Sequence, residues 1–375
     1  MRIAQVAPLY ESVPPRLYGG TERVVSYLTE ELVNMGHEVT LFASGDSHTR
    51  ARLVAACPQS LWRDENCRET LPHHVRLMQL VFEDVSRFDV IHFHTDYLHF
   101  PLVRLCPCRS ITTIHGKLHG PDLKALFDDY REIPLVSICD NQRQPIPEAN
   151  WRATVYHGLP GNQHTFRNRA DGYLAFLGRI SPEKRLDRAV EIARQSRRRL
   201  KVAAKIYPEE REYYTQIIEP LLRESRSFVE FVGEVGGREK DEFLGNASAL
   251  LFPIDWPEPF GLVMIEALAC GTPVIAWRCG SVPEVITDGV TGFVVDDIDQ
   301  AVWAVARVAG LSRHLCRRAF EERFDASRMA RDYLDVYRRL KDGFEPYNAP
   351  RQNGLDRATF HRSHTPLLGV VQGVA

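Results

Sequence analysis

Two successive alternations of strand and helix limit what this chain can fold into. The first opens at the N-terminus, where MRIAQVAP reads as a β-branched-rich strand. In TERVVSYLTEELVNMGH, residues Val24, Val25, Leu28, Leu32 and Met35 recur at helical spacing and Gly36 is placed to end the helix. EVTLFAS is a second strand. A strand–helix–strand unit implies parallel pairing through a right-handed crossover. DVIHFH, SITTIHG, PLVSICD and ATVYHG continue as short buried-type strands separated by polar or helical segments. Residues 159–172 are polar and aperiodic, and read as a linker. A second alternation then runs from YLAFLGRI through helix PEKRLDRAVEIARQS, strand LKVAAKI, helix EEREYYTQIIEPLLRE, strand FVEFVGEV, helix REKDEFLGNAS and strand ALLFPI. A helix over EPFGLVMIE, strands PVIAW and TGFVVD, and three further helices follow.

The expected fold class is therefore α/β: two doubly wound, Rossmann-like domains facing across a cleft. The expected division is residues 1–160, residues 161–324, a last helix over 325–345 and an aperiodic, loosely ordered tail over 346–375. Ligands of such sheets sit at the carboxyl ends of the strands, so the cleft between the domains is the default site.

Composition narrows the class further. The chain has 375 residues, 44% hydrophobic and 26% charged, with a net charge of -2. That near-neutral balance gives no push toward nucleic acid. No apolar run approaches the ~18 residues that a membrane span needs. The opening apolar run is too short for a signal peptide and is broken by Gln5 and Pro8. Eight cysteines without a CxxC pair fit reduced thiols and a cytoplasmic location. The basic run RQSRRRLK, 194–201, is a candidate peripheral contact for anionic headgroups, although a solvated helix end explains it as well.

The first loop lacks the GxGxxG of a nicotinamide-binding turn, and no GxxxxGK[ST] phosphate loop occurs. Gly19 and Gly20 instead stand before Thr21, a candidate N-cap, with Glu22 in the first turn. Glycines there allow close backbone approach to a ligand and leave N–H groups for an anion; a plain tight turn fits equally. In GRISPEKR, Arg179 falls at a strand end, Ser181 and Pro182 resemble N-cap and first helical position, and Lys184 and Arg185 follow in the first turn. Cations there oppose the helix dipole, a conflict that a bound anion would resolve, with a solvated basic surface as the alternative. His92, His94 and His99 lack a flanking Cys or Glu, so no metal site is expected. His115 ends a β-branched strand ahead of Gly116 and is directed at the cleft, with a satisfied core histidine as the alternative. Glu258 lies in the loop after ALLFPI. A helix starting near Phe260 would leave the N–H groups of Phe260, Gly261 and Leu262 unpaired. Glu266 sits inside that apolar helix, and a buried carboxylate must have partners. Ribose hydroxyls or protein donors could both supply them.

Taken together, YGGTE, the HG at 115–116, GRISPEK, EPFGLVMIEALACGTPVIA and GSVPEVITDGVTGFVV resemble the retaining GT-B glycosyltransferases of the group 1 class, also called family 4. The resemblance covers roughly residues 1–342 and rests on the order and spacing of the motifs. It implies a nucleotide-diphosphate sugar donor, UDP- or GDP-linked, on the C-terminal domain. The acceptor, a small molecule, glycan or lipid-linked compound, would lie on the N-terminal domain. Arg179 and Lys184 would hold the diphosphate with the backbone at Gly19 and Gly20. Glu266 would accept the ribose hydroxyls, while Glu258 and the N–H groups of Phe260, Gly261 and Leu262 would grip the sugar. His115 would stand near the reacting carbon. No metal and no separate cofactor are implied, and the last helix would pack back on the first domain. Departures are HGLP where the family often has Asn-Gly-x-Asp, Arg185 where it often has Gly, and a short segment between Lys117 and Pro134. An epimerase on the same fold and a non-catalytic nucleotide-sugar binder are the competing readings.

Overall fold

The computed structural model describes residues 1–16 and 19–343, so the expectation for the tail lies outside the described residues. Strands β1 (Arg2–Val6), β2 (Glu38–Ser44), β3 (Arg52–Cys57), β4 (Val90–Phe93), β5 (Ser110–Thr113), β6 (Leu135–Ser137) and β7 (Trp151–Thr154) form one sheet. Their order is β3-β2-β1-β4-β5-β6-β7, all parallel. Strands β8 (Leu174–Arg179), β9 (Leu200–Lys205), β10 (Val229–Gly233), β11 (Ala249–Phe252), β12 (Val274–Trp277) and β13 (Gly292–Val295) form the second. Its order is β10-β9-β8-β11-β12-β13, again parallel.

Helices cover both faces of each sheet, which is why central strands such as β11 and β12 are apolar without alternation and, like β4, buried throughout. In both sheets the winding reverses beside the first strand of the set, between β1 and β4 and between β8 and β11. The connecting segments there leave in opposite directions and open a crevice at the carboxyl ends.

The periodicity reading missed β3 and the Leu71–Glu83 helix, within a segment it left unassigned. β3 is an edge strand, with only its last two residues buried, so its pattern is weak. The helix expected over EEREYYTQIIEPLLRE contains a π-helical turn at Tyr214–Ile218. Pro220 lies just beyond it and has no N–H to donate, so the regular ladder cannot run through.

The Ala326–Asp342 helix crosses back to the first sheet and packs on the Gly20–Asn34 helix. Its polar anchors are two fully buried tyrosines. Gln5 Nε2 donates to Tyr337 Oη at 3.0 Å, and His92 Nδ1 lies 2.7 Å from the same oxygen. Tyr333 Oη is 2.9 Å from Thr113 Oγ1. Replacing Tyr337 by Phe keeps the ring but strands these buried polar groups. Denaturant titration should show a loss of roughly 1–3 kcal/mol; an unchanged midpoint would show that the hydroxyl is not an anchor.

Candidate active site

A cleft of about 770 Å³ is lined by residues from the carboxyl ends of both sheets. Gly19, Gly20, His115, Arg179, Lys184, Glu258, Phe260, Gly261, Leu262 and Glu266 all line it. The sequence could place them at strand ends, at helix starts or, for Glu266, within a helix, but not against one another.

On the first domain, the Gly20–Asn34 helix begins two residues earlier than a Thr21 cap implied. Gly19, not Thr21, is its N-cap, and no side chain caps it. Gly19 has φ 150°, and a Cβ there would stand 2.7 Å from Pro15 Cβ. Across the cleft, the space a Cβ on Gly20 would fill is 3.8 Å from Leu262 Cδ1. These residues therefore bring a bare helix N-terminus close to the second domain.

On the second domain, the expected single helix after Ser181 is two elements. Pro182–Lys184 form a 3-10 turn, and Arg185 takes the left-handed conformation at φ 54° before the Leu186–Ser196 helix starts. The break separates the two cations. Arg185 turns to Asp187 and Asp255, at 2.8 Å each, and is not among the lining residues. Lys184 turns into the cleft and pairs with Glu258, with its ammonium 5.1 Å from the Trp256 ring centre. Arg179 lines the cleft and is held by Glu183 at 3.0 Å and Glu210 at 3.3 Å. The dipole conflict inferred at a helix start thus reduces to Lys184 in a 3-10 turn.

The α-helix carrying Glu266 runs Leu262–Ala269 and starts after Phe260, so Glu266 is one turn in. Gly261 explains the delay. It adopts φ 78°, and a Cβ would meet Met264 Cε at 2.9 Å and Phe252 Cζ at 3.1 Å. Among the described residues, the N–H groups of Phe260, Gly261 and Leu262 donate to no protein acceptor, as expected at a helix start. Ser281 clamps this loop: its N–H donates to Glu258 O at 3.0 Å and its hydroxyl to Phe260 O at 2.7 Å.

Glu266 is only 6% exposed, and its protein partner is Lys240 Nζ on the Gly237–Gly245 helix, at 2.5 Å from Oε1. Burial works to raise the Glu266 carboxyl, but the Lys240 charge, His164 and the Lys240 hydrogen bond outweigh it and hold the carboxyl below its ordinary value. Lys240 also lines the cleft. Sequence reasoning passed over it because a lysine near the start of a polar helix looks solvated.

His115 is neutral, because burial pushes its imidazole down to about 3. A hydrogen-bond chain assigns its tautomer. With Gln5 Nε2 donating to Tyr337, Gln5 Oε1 accepts from His94 Nε2 at 2.8 Å. His94 Nδ1 then accepts from His115 Nε2, also at 2.8 Å. His115 Nδ1 keeps a lone pair, and this buried atom has no partner among the described residues. His157, which the sequence reading did not single out, stacks on His115 at 5.2 Å and meets Phe260 edge-on at 4.9 Å. Its signal was a second strand-ending His-Gly pair, in YHG. Glu22 lines the cleft at 5% exposure; burial raises it to about 7, against its own backbone N–H and with Glu11 adding to the rise.

His92 and His99 belong to the core, bonded to Thr113 and Thr112 at 2.7 Å each. One buried group, His164, Asp241 and Cys270, brings three potential ligand atoms within 4.8 Å. It lies behind Glu266, outside the cleft lining. Burial raises the Cys270 thiol, which donates to Asp241 at 3.4 Å, and Asp241 also accepts from Thr165 N at 2.8 Å. These atoms are satisfied by one another as a protonated core network. In the basic run, Arg194 pairs with Glu191 and Lys201 with Glu230. No helix among the described residues is long and apolar enough to cross a membrane.

Residues 163–318 match the family model of glycosyl transferases group 1, and residues 18–136 match that of glycosyltransferase family 4. The chain belongs to the group 1 glycosyltransferases. An uncharacterized glycosyltransferase of Methanocaldococcus jannaschii is 24% identical over 90% of this chain and 98% of its own length. A D-inositol 3-phosphate glycosyltransferase of Saccharomonospora viridis is 37% identical, over 30% of this chain and 28% of its own. Among solved structures, AviGT4, a glycosyltransferase involved in avilamycin A biosynthesis, superposes with a TM-score of 0.70 at 25% identity, covering 92% of this chain and 98% of that one. Sucrose-phosphate synthase from Thermosynechococcus elongatus gives 0.76 at 20% identity, over 92% and 100%. Anabaena HepE in complex with UDP and glucose gives 0.69 at 15% identity, over 90% and 99%. The architecture of this glycosyltransferase is GT-B.

The Lys240–Glu266 pair has a pH signature. In the wild type, a carboxyl held below its ordinary value contributes stability that is lost as pH falls through that value. Lys240→Met removes the nearest cation and leaves burial to push Glu266 up. The loss should be on the order of 3 kcal/mol near pH 7.5. It should shrink near pH 5, where the carboxyl takes up a proton. Denaturant titration at both pH values checks this, and equal losses would contradict it.

Proposed function

We propose that this glycosyltransferase moves a sugar from a nucleotide-diphosphate donor, UDP- or GDP-linked, to an acceptor hydroxyl with retention of configuration and without a metal ion. The observation that carries the reading is the meeting, in one cleft, of a buried ionised carboxylate, the cations Arg179 and Lys184, a bare helix N-terminus and a neutral histidine with an unpaired lone pair. That set offers partners in charge and hydrogen bonding for the ribose, diphosphate and sugar of a nucleotide-sugar. The sharing of its fold with HepE, seen with UDP and glucose, supports the same donor chemistry.

In this reading Glu266 accepts the ribose hydroxyls, with Lys240 keeping it charged. Arg179, Lys184 and the N–H groups at Gly19 and Gly20 take the diphosphate. The leaving diphosphate gains negative charge as the C1–O bond breaks, so cations fixed beforehand favour the transition state over the ground state. These side chains do the work that a divalent ion does elsewhere. Glu258 and the N–H groups of Phe260, Gly261 and Leu262 grip the sugar. His115 Nδ1, which can only accept, takes one sugar hydroxyl. The acceptor oxygen attacks C1 from the leaving-group face and its proton passes to the departing diphosphate oxygen.

Two variants separate binding from chemistry. Glu266→Gln should weaken UDP or GDP binding by roughly tenfold or more, the worth of a charged hydrogen bond. Lys184→Ala should lower turnover by about 10²–10³-fold. Calorimetry and nucleoside-diphosphate release measure the two, and wild-type values in both would reject the assignment. The anomeric proton coupling of the first product tests retention.

A further inference from the structure

One end of the cleft serves none of the donor contacts. It is built from the first domain, at the ends of β1 and β4 and at the start of the Leu71–Glu83 helix. Trp62 is 58% exposed there, Leu71 60% and Tyr97 44%, a concentration of bare apolar surface in a molecule whose other large apolar side chains are mostly buried. The rings are supported from behind: Tyr10 lies 5.2 Å from Trp62 and 4.9 Å from His74, and His74 Nε2 accepts the Leu9 N–H at 3.2 Å.

Beside the rings are two polar groups without protein partners among the described residues. Thr95 is 8% exposed, and its buried Oγ1 has no hydrogen bond. Asp96 holds the left-handed conformation, φ 49°, unusual for a residue with a side chain. No hydrogen bond or ion pair reaches its carboxylate. Both follow directly on His94, which is 2.8 Å from His115, so the pair borders the reaction centre. Cations are few at this end: Arg23 is the one guanidinium or ammonium among the described first-domain lining residues. Burial keeps His74 below its ordinary value and uncharged.

Resting on the glycosyl-transfer reading, we propose that the acceptor is an uncharged glycoside. Its ring would stack on Trp62 and Tyr97, and its hydroxyls would be taken by Asp96 and Thr95. A pyranose offers an apolar face to an aromatic ring and hydroxyl donors at its rim, which this surface complements. An unpaired buried hydroxyl is a standing cost that such a ligand removes. A phosphorylated or lipid-diphosphate acceptor calls for several cations, and this end offers the single guanidinium of Arg23. The attacking hydroxyl forms its bond to C1 of the donor sugar. The C1–O bond to the diphosphate breaks with its electron pair going to the diphosphate, and the acceptor proton leaves with it.

The test offers UDP-glucose and GDP-mannose with methyl glucosides, methyl mannosides and methyl galactosides. Sugar 1-phosphates and undecaprenyl phosphate form the other arm, and products are read by mass spectrometry. At least one neutral glycoside should be extended, with the phosphorylated compounds silent. With that glycoside, Trp62→Ala and Asp96→Asn should each raise the acceptor KM by roughly tenfold. Their UDP affinity should stay at wild type, and Trp62→Phe should restore most of the loss. Trp62 is exposed, so its replacement spares the fold. Extension of phosphorylated acceptors alone, KM values within about twofold in both variants, or silence across the panel while UDP still binds would overturn the proposal and leave the donor reading standing. Absence of any nucleotide binding would fall instead on the donor reading.

Discussion

The whole site depends on where two parallel sheets reverse their winding. A parallel sheet sends every strand's carboxyl end to the same side, and the reversal beside β1 and beside β8 leaves a gap between neighbouring crossovers on that side. The two gaps face one another. Gly19 and His115 reach the cleft from the first sheet's edge, and Arg179 and Glu258 from the second's. The Ala326–Asp342 helix fastens the halves together, and its Tyr337 hydroxyl begins the hydrogen-bond chain that ends at His115. A single helix therefore ties domain placement to the protonation pattern of a cleft histidine.

Charge inside the cleft is arranged in pairs rather than left bare. Lys240 holds Glu266, Glu258 holds Lys184, and Glu183 and Glu210 hold Arg179. Removing any of these ions from water without a partner would cost several kcal/mol. Pairing keeps each group aimed, and the Lys240 charge helps hold the Glu266 carboxyl below its ordinary value. A nucleotide-sugar carries both hydroxyls and a diphosphate, so it can take over acceptor and donor roles from these pairs without leaving a charge exposed. At the aromatic end of the cleft, the Asp96 carboxylate has no such partner among the described residues.

The alternation of strands and helices, the cleft and the strand-end positions were legible in the sequence because buried parallel strands announce themselves as short apolar runs. The glycines and prolines marked where those runs end. Less legible were features set by tertiary packing. Arg185 in a left-handed conformation splits one expected helix, and only its neighbours show why. Gly261 delays the helix that carries Glu266 because Phe252 and Met264 occupy the space a side chain would need. Lys240 is 26 residues from Glu266 in the chain, so no local pattern links them. The edge strand β3 lacks the buried apolar run that marks its neighbours.

The measurement that bears most directly on the central claim is the structure of the protein with uridine or guanosine diphosphate bound. The account predicts the ribose hydroxyls within hydrogen-bonding distance of Glu266, the diphosphate between Arg179, Lys184 and the Gly19–Gly20 backbone, and Lys184 drawn off Glu258. A nucleotide seated elsewhere, or one that leaves Glu266 bound to Lys240 alone, would contradict it.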